Sequence, residues 1–253
     1  VSDRLHRPYP ANNLEDWNSV LTVRDDDQAP AVRIPRDQWS FGRLESGKFV
    51  PDASHIYLEQ GFQAGKIFQV IFSTSTAPVV GLGLLATRDL VSFLRYETTE
   101  DGNPCAGGIN NAYAFGRSQS GRFLRVFLYH ALNKDEEDRT VFDGVIAMVA
   151  GGRRGEFNYR FGQPSPHSTY SVNNLFPFTD VEQTDPQTGS TGGLLSKMAD
   201  QGELPKIFFV NTSAEYWGGH AALIHTDVAG VTDIAPYDNV RIYHFAGTQH
   251  GPG

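Results

Sequence analysis

Three residue types that can jointly attack an acyl carbon occur in one order along this 253-residue chain. A serine lies in Gly116-Arg117-Ser118-Gln119-Ser120-Gly121, a glutamate in Asn211-Thr212-Ser213-Ala214-Glu215, and a histidine in Gly247-Thr248-Gln249-His250. A serine hydroxyl is a poor nucleophile until a base can take its proton. Histidine is the usual base, and a carboxylate beside it fixes its tautomer and stabilises the imidazolium that forms.

Two serines compete for the first role. A nucleophile is well presented on a sharp turn between a strand and a helix, where the strained backbone admits only small residues two positions to either side. For Ser118 those neighbours are Gly116 and Ser120. For Ser120 they are Ser118 and Arg122, and Arg122 is too bulky. The strand "AYAFG" also ends at Gly116, which puts Ser118 at the apex and Gly121 where the helix must approach the sheet. Ser118 is the candidate, although a serine-rich helix start produces the same pattern.

Glu215 follows the apolar run "KIFFVNTS" at once, and His250 lies in a Gly-flanked loop after "VRIYHFA". The order Ser, acid, His, each past the end of its own strand, is the order that strand-ordered serine hydrolases use. Glu215 could instead cap a helix beginning at "YWGGHAAL", and His250 could be a solvated loop residue. Glu156 and Asp180 are weaker candidates for the acid, while Asp227 and Asp233 read as turn residues. An oxyanion would be held by the Gln119 N–H at the helix start and by a second donor from "VVGLGLL", Gly81 or Gly83. Packing glycines would look the same.

These residues need strands and helices to hold them. Residues 1–60 read as a β-rich segment of short strands ("SVLTV", "HIYLE") and turns, and residues 61–253 as the core. "KIFQVIFSTS" is a strand and "LLATRDLVSFLRY" an amphipathic helix. Then come a strand "NAYAFG", a turn "RSQSG", an apolar helix "RFLRVFLYHALN" and a buried strand "FDGVIAMVAG". Residues 151–202 lose periodicity in Gly, Pro, Ser, Thr and Asn with scattered aromatics. A stretch that long is expected to be a lid-like insertion before the penultimate strand. "LPKIFFVNTS" and "NVRIYHFAGTQHG" are the last strands. The alternation predicts a mostly parallel sheet with helices on both faces.

Composition narrows the function. A net charge of −8 without a cluster of Lys and Arg argues against nucleic acid as partner. The single cysteine, Cys105, has no internal partner and is read as structural. His220 and His225 are spaced i, i+5 and no H-E-x-x-H occurs, so neither a metal nor another cofactor is expected. No apolar run approaches the ~20 residues of a membrane span, and no signal segment is visible. The chain starts at Val1 without a methionine, so its cellular address is not read.

"AFGRSQSGRFLRVFLY", "NLFPFTD", "PKIFFVNTSAEYWG" and "RIYHFAGTQHGPG" resemble a family of large bacterial α/β-hydrolase domain proteins. The resemblance runs across nearly the whole chain. It implies the α/β-hydrolase fold and a Ser118-Glu215-His250 triad, and it implies no substrate. The elbow is also similar to G-x-S-x-x-G-K of glucuronoyl esterases, whose serine matches Ser118. Those enzymes carry Arg where this chain has Gln119, so their substrate is not carried over. Family members are longer at both ends and have a helix after the histidine loop, whereas this chain ends three residues past His250. A fragment is expected.

The resulting expectation is a serine hydrolase acting on a small-molecule carboxylic ester through an acyl-enzyme on Ser118. Arg117, Arg122, Arg153, Arg154, Tyr216 and Trp217 are expected to form a pocket for a polar or carboxylate-bearing portion. Two alternatives stay open, a non-catalytic binding module of the same fold and an amidase or peptidase with the same residues. Oligomeric state is not read.

Overall fold

The computed structural model describes residues 9–26, 29–76, 81–154, 176–186, 188–202 and 204–251. These divide into two compact units, one before Gly81 and one from Gly81 onward.

The first unit is antiparallel. It contains β1 (Val20–Arg24), β2 (Val32–Ile34), β3 (Trp39–Glu45), β4 (Lys48–Leu58) and β5 (Ile67–Ile71). β1 is central between β2 and β5, and β3 pairs with β4 as a separate hairpin. The hairpin closes through Ser46 and Gly47, both at positive φ, the geometry that matches the strands' own twist. Leu21, Trp39, Phe41 and Leu58 form its core, with the Trp39 and Phe41 rings edge to face at 5.4 Å. β5 lies past residue 60, yet its ladder partner is β1, so the N-terminal unit includes it.

The second unit is the α/β fold expected. Its elements are α1 (Gly83–Tyr96), β6 (Tyr113–Arg117), α2 (Gln119–Tyr129), β7 (Gly144–Met148), β8 (Gln183–Thr184), β9 (Thr191–Gly192), α3 (Ser196–Ala199), β10 (Lys206–Thr212), α4 (Ser213–Gly218) and β11 (Val240–Phe245). The sheet order is β11-β10-β7-β6, and every pairing in it is parallel.

Register explains which face is packed. Ala114, Val145, Ile207 and Val240 lie side by side across the four strands, as do Gly116, Ala147, Phe209 and Ile242. That face packs against Leu124, Phe127 and Leu128 of α2 in one apolar cluster. The alternate rows carry Tyr113, Phe115, Phe208 and Tyr243, all exposed. A parallel sheet usually buries both faces, so this second row is unusual.

Two sequence expectations shift. The elbow helix starts at Gln119 rather than after Gly121, because one residue, Ser118, makes the whole reversal. Within residues 151–202 the part from Phe176 onward is not a loose excursion. It forms the β8–β9 pair and α3, and it buries Leu194, Leu195 and Met198 in the main core. Residues 155–175 of that stretch, Glu156 among them, lie outside the described residues. Among the described residues no helix is long and apolar enough to cross a membrane.

Candidate active site

Ser118 stands between β6 and α2 with φ 57 and ψ −117, a left-handed conformation that side chains rarely tolerate. The surroundings hold it there. Its N–H bonds the Met148 carbonyl of β7 at 2.9 Å, and its carbonyl accepts the Arg122 N–H at 3.0 Å to open the helix.

Close approach of strand and helix explains the glycines. A Cβ on Gly116 would sit 2.4 Å from the Ser120 carbonyl oxygen, and one on Gly121 would sit 2.9 Å from that of Met148. Both obstacles are backbone, so only glycine fits. The demanding positions are therefore Gly116 and Gly121. Ser120 is merely exposed.

The loop after β11 brings His250 over the turn. Its Nε2 lies 2.8 Å from Ser118 Oγ, and its Nδ1 lies 2.5 Å from Glu215 Oε1. That loop is pinned twice. The Gly247 N–H donates to Ser213 Oγ at 2.8 Å, and Arg117 Nη2 donates to the His250 carbonyl at 3.4 Å.

Glu215 is buried in the first turn of α4. Its second oxygen, Oε2, accepts the Thr212 N–H at 2.9 Å and the Thr212 hydroxyl. Glu215 thus bonds in both directions, one oxygen to the cap of α4 and the other to His250. Burial pushes its carboxyl up, but the Thr212 hydroxyl, His250 and the Thr212 N–H together hold it below the usual value. It is a carboxylate at neutral pH and can only accept. Nδ1 of His250 is consequently the protonated nitrogen, which leaves the Nε2 lone pair facing the serine hydroxyl.

The remaining candidates fall in different places. Gln119 is the first residue of α2, so its N–H has no intrahelical partner and is free to hold an oxyanion. Gly81, with φ 91, and Gly83 lie at the start of α1. Tyr216 packs on the core and shares a 2.6 Å hydrogen bond with His225 Nε2, so its hydroxyl is already engaged. Trp217 is 88% exposed. Arg153 donates from Nε to His220 Nδ1 at 2.8 Å and from Nη2 to the Gly218 carbonyl at 3.1 Å. Arg154 bonds the Phe176 carbonyl and lies over the Tyr129 ring at 4.1 Å. Arg122 is half-buried, and its guanidinium bonds none of the described residues.

The alternative acids are elsewhere. Asp227 accepts the Val231 N–H at 2.8 Å in a turn, and Asp233 pairs with His225 at 3.2 Å. Asp180 is buried near Arg125, with neither oxygen hydrogen-bonded among the described residues. Burial pushes its carboxyl up to about 7 even though Arg125 pulls it down. None of these three is hydrogen-bonded to His250.

Three supporting residues escaped the sequence reading. Thr212 was legible, since Thr-x-x-Glu is a capping box. Ser213, which holds the histidine loop, carries no sequence signal. Nor does Arg125, fully buried in α2, which donates to the Gly152 and Phe178 carbonyls and lies 4.9 Å over the Phe209 ring. Among the described residues no group of three or more His, Cys, Asp or Glu is placed to hold a metal.

The family model described as "Alpha/beta hydrolase domain" matches residues 59–253. No curated protein and no solved structure matches the chain.

Proposed function

Because the chain belongs to the alpha/beta hydrolase domain family, we propose that it is a serine hydrolase that cleaves carboxylic esters through an acyl-enzyme on Ser118. The observation that carries this reading is one unbroken hydrogen-bond chain, Ser118 Oγ to His250 Nε2 and His250 Nδ1 to Glu215 Oε1, beginning at a serine in a strained turn.

In the first step Ser118 Oγ attacks the acyl carbon while its proton passes to His250 Nε2. Glu215 stays ionised and stabilises the imidazolium. The negative charge on the former carbonyl oxygen is met by the Gln119 N–H at the positive end of α2. Collapse expels the alcohol, which takes the proton from Nε2. Water then gives its proton to Nε2 and attacks the acyl-serine. The carboxylic acid leaves, and the proton returns to Ser118.

Stopped-flow hydrolysis of a p-nitrophenyl ester tests the acyl-enzyme. A burst of nitrophenolate matching the enzyme concentration, absent in Ser118→Ala, is expected. Turnover that survives Ser118→Ala would overturn the proposal. A matched p-nitroanilide hydrolysed as fast as the ester would replace the ester with an amide.

A further inference from the structure

Three arginines stand near Ser118 along the chain or after the strand that anchors it, in a protein whose net charge is −8. Arg117 precedes it, Arg122 lies one helical turn after it, and Arg153 follows β7, whose Met148 carbonyl anchors the serine backbone. Among the described residues none of these guanidinium groups pairs with a carboxylate. Elsewhere Arg43 pairs with Asp52, Arg95 with Asp143 and Arg139 with Asp135, while Arg36 and Arg241 donate to backbone carbonyls.

Within this group the donors are unequally spent. Arg117 reaches back to the His250 carbonyl, and Arg153 spends Nε and Nη2 on His220 and Gly218. Arg122 has no hydrogen bond from its fork to any of the described residues. It is half-buried beside Arg153, so burial and then the like charge of Arg153 both work against its protonated form. Arginine stays charged regardless, and a partly desolvated cation with unspent donors is stabilised most by an anion. Arg125, three residues further along the same helix, turns inward and spends its Nη2 on backbone carbonyls. Nε and Nη1 of Arg125 are also unbonded among the described residues but are sealed in the core, whereas Arg122 is partly exposed on the helix turn next to the nucleophile.

Resting on the serine-esterase reading, we propose that the substrate is an ester that also bears a carboxylate, held by Arg122 with Arg153 beside it. A guanidinium fork and a carboxylate match through two parallel N–H···O bonds, and one free fork suits a singly charged acid group. The net charge of −8 disfavours non-specific anion binding, so a carboxylate preference would report on this site.

Binding to Ser118→Ala protein, which needs no turnover, tests this by calorimetric titration with monomethyl succinate and with neutral dimethyl succinate. The monoanion should bind at least about 10-fold more tightly. The gap should shrink to about 2-fold when Arg122→Gln is added, and should narrow in high salt. Arg153→Gln serves as a second variant and should also reduce the gap. Circular dichroism establishes that each variant is folded. Equal affinities, undetectable binding of both esters, or a gap that survives both arginine substitutions would overturn the proposal. A carboxylate preference in a protein that shows no acyl-enzyme burst would keep the anion site and discard the hydrolase reading.

Discussion

Glu215 divides its two oxygens, one bonded to Thr212 at the cap of α4 and the other to His250, the bond that orients the base in the proposed mechanism. Glu215→Gln separates them. The amide oxygen can still accept from Thr212, but the amide N–H₂ would face the protonated Nδ1, forcing the ring into the wrong tautomer. Steady-state ester hydrolysis should fall by roughly 10³-fold or more, while the thermal midpoint moves little. Ser120→Ala, at an exposed position with no basic partner among the described residues, should keep the rate within about 2-fold in the same assay. At this scale much was legible. Ser118 could be told from Ser120 because bulky Arg122 and small Gly116 make opposite demands on a strained turn. The burial of Arg125 and the lack of a partner for Arg122 among the described residues were not legible, because both depend on which backbone carbonyls and charges come near in space.

At the scale of the elements, the turn between β6 and α2 depends on a backbone approach that admits no Cβ at Gly116. Gly116→Ala should destabilise the protein by about 1–3 kcal/mol in urea unfolding and remove the ester burst. The join of α1 to the segment before β7 is electrostatic. Asp135 accepts from Ser92 Oγ at 2.5 Å, from Arg139 Nε at 2.7 Å, and from the N–H groups of Arg139 and Glu137. Burial pushes its carboxyl up, but these donors hold it down to about 2. In the unfolded chain it titrates near about 3.9, so its stabilisation is full above about pH 4 and is lost as pH falls through about 2. Asp135→Asn should lower the urea midpoint at pH 7, and the difference should close across that acid window. The long apolar elements, α1, α2, β7 and β10, were legible from their period. β8, β9 and α3 were not, since elements of two to four residues show no period, and β5 carries no mark of its pairing with β1.

At the scale of the whole molecule, the parallel sheet is unequal on its two faces. Phe209 is 1% exposed beneath α2, whereas Phe115 is 65% exposed on the opposite row. Phe209→Ala should cost about 3–5 kcal/mol in denaturant unfolding, while Phe115→Thr should cost less than about 1 kcal/mol. The parallel order of the sheet was legible from alternating strands and helices. The exposed row was not, because a strand apolar on both sides reads the same whether or not its second face is covered. The candidate site exists only in the assembled fold, since Ser118 and His250 meet across 132 positions of chain. In the proposed mechanism this assembly activates Ser118. The direct measurement is exposure of the folded protein to a fluorophosphonate, followed by peptide mass spectrometry. One adduct is expected, on Ser118, and it should be lost in His250→Ala. An adduct on Ser120, or no adduct on protein shown to be folded, would contradict the proposed mechanism.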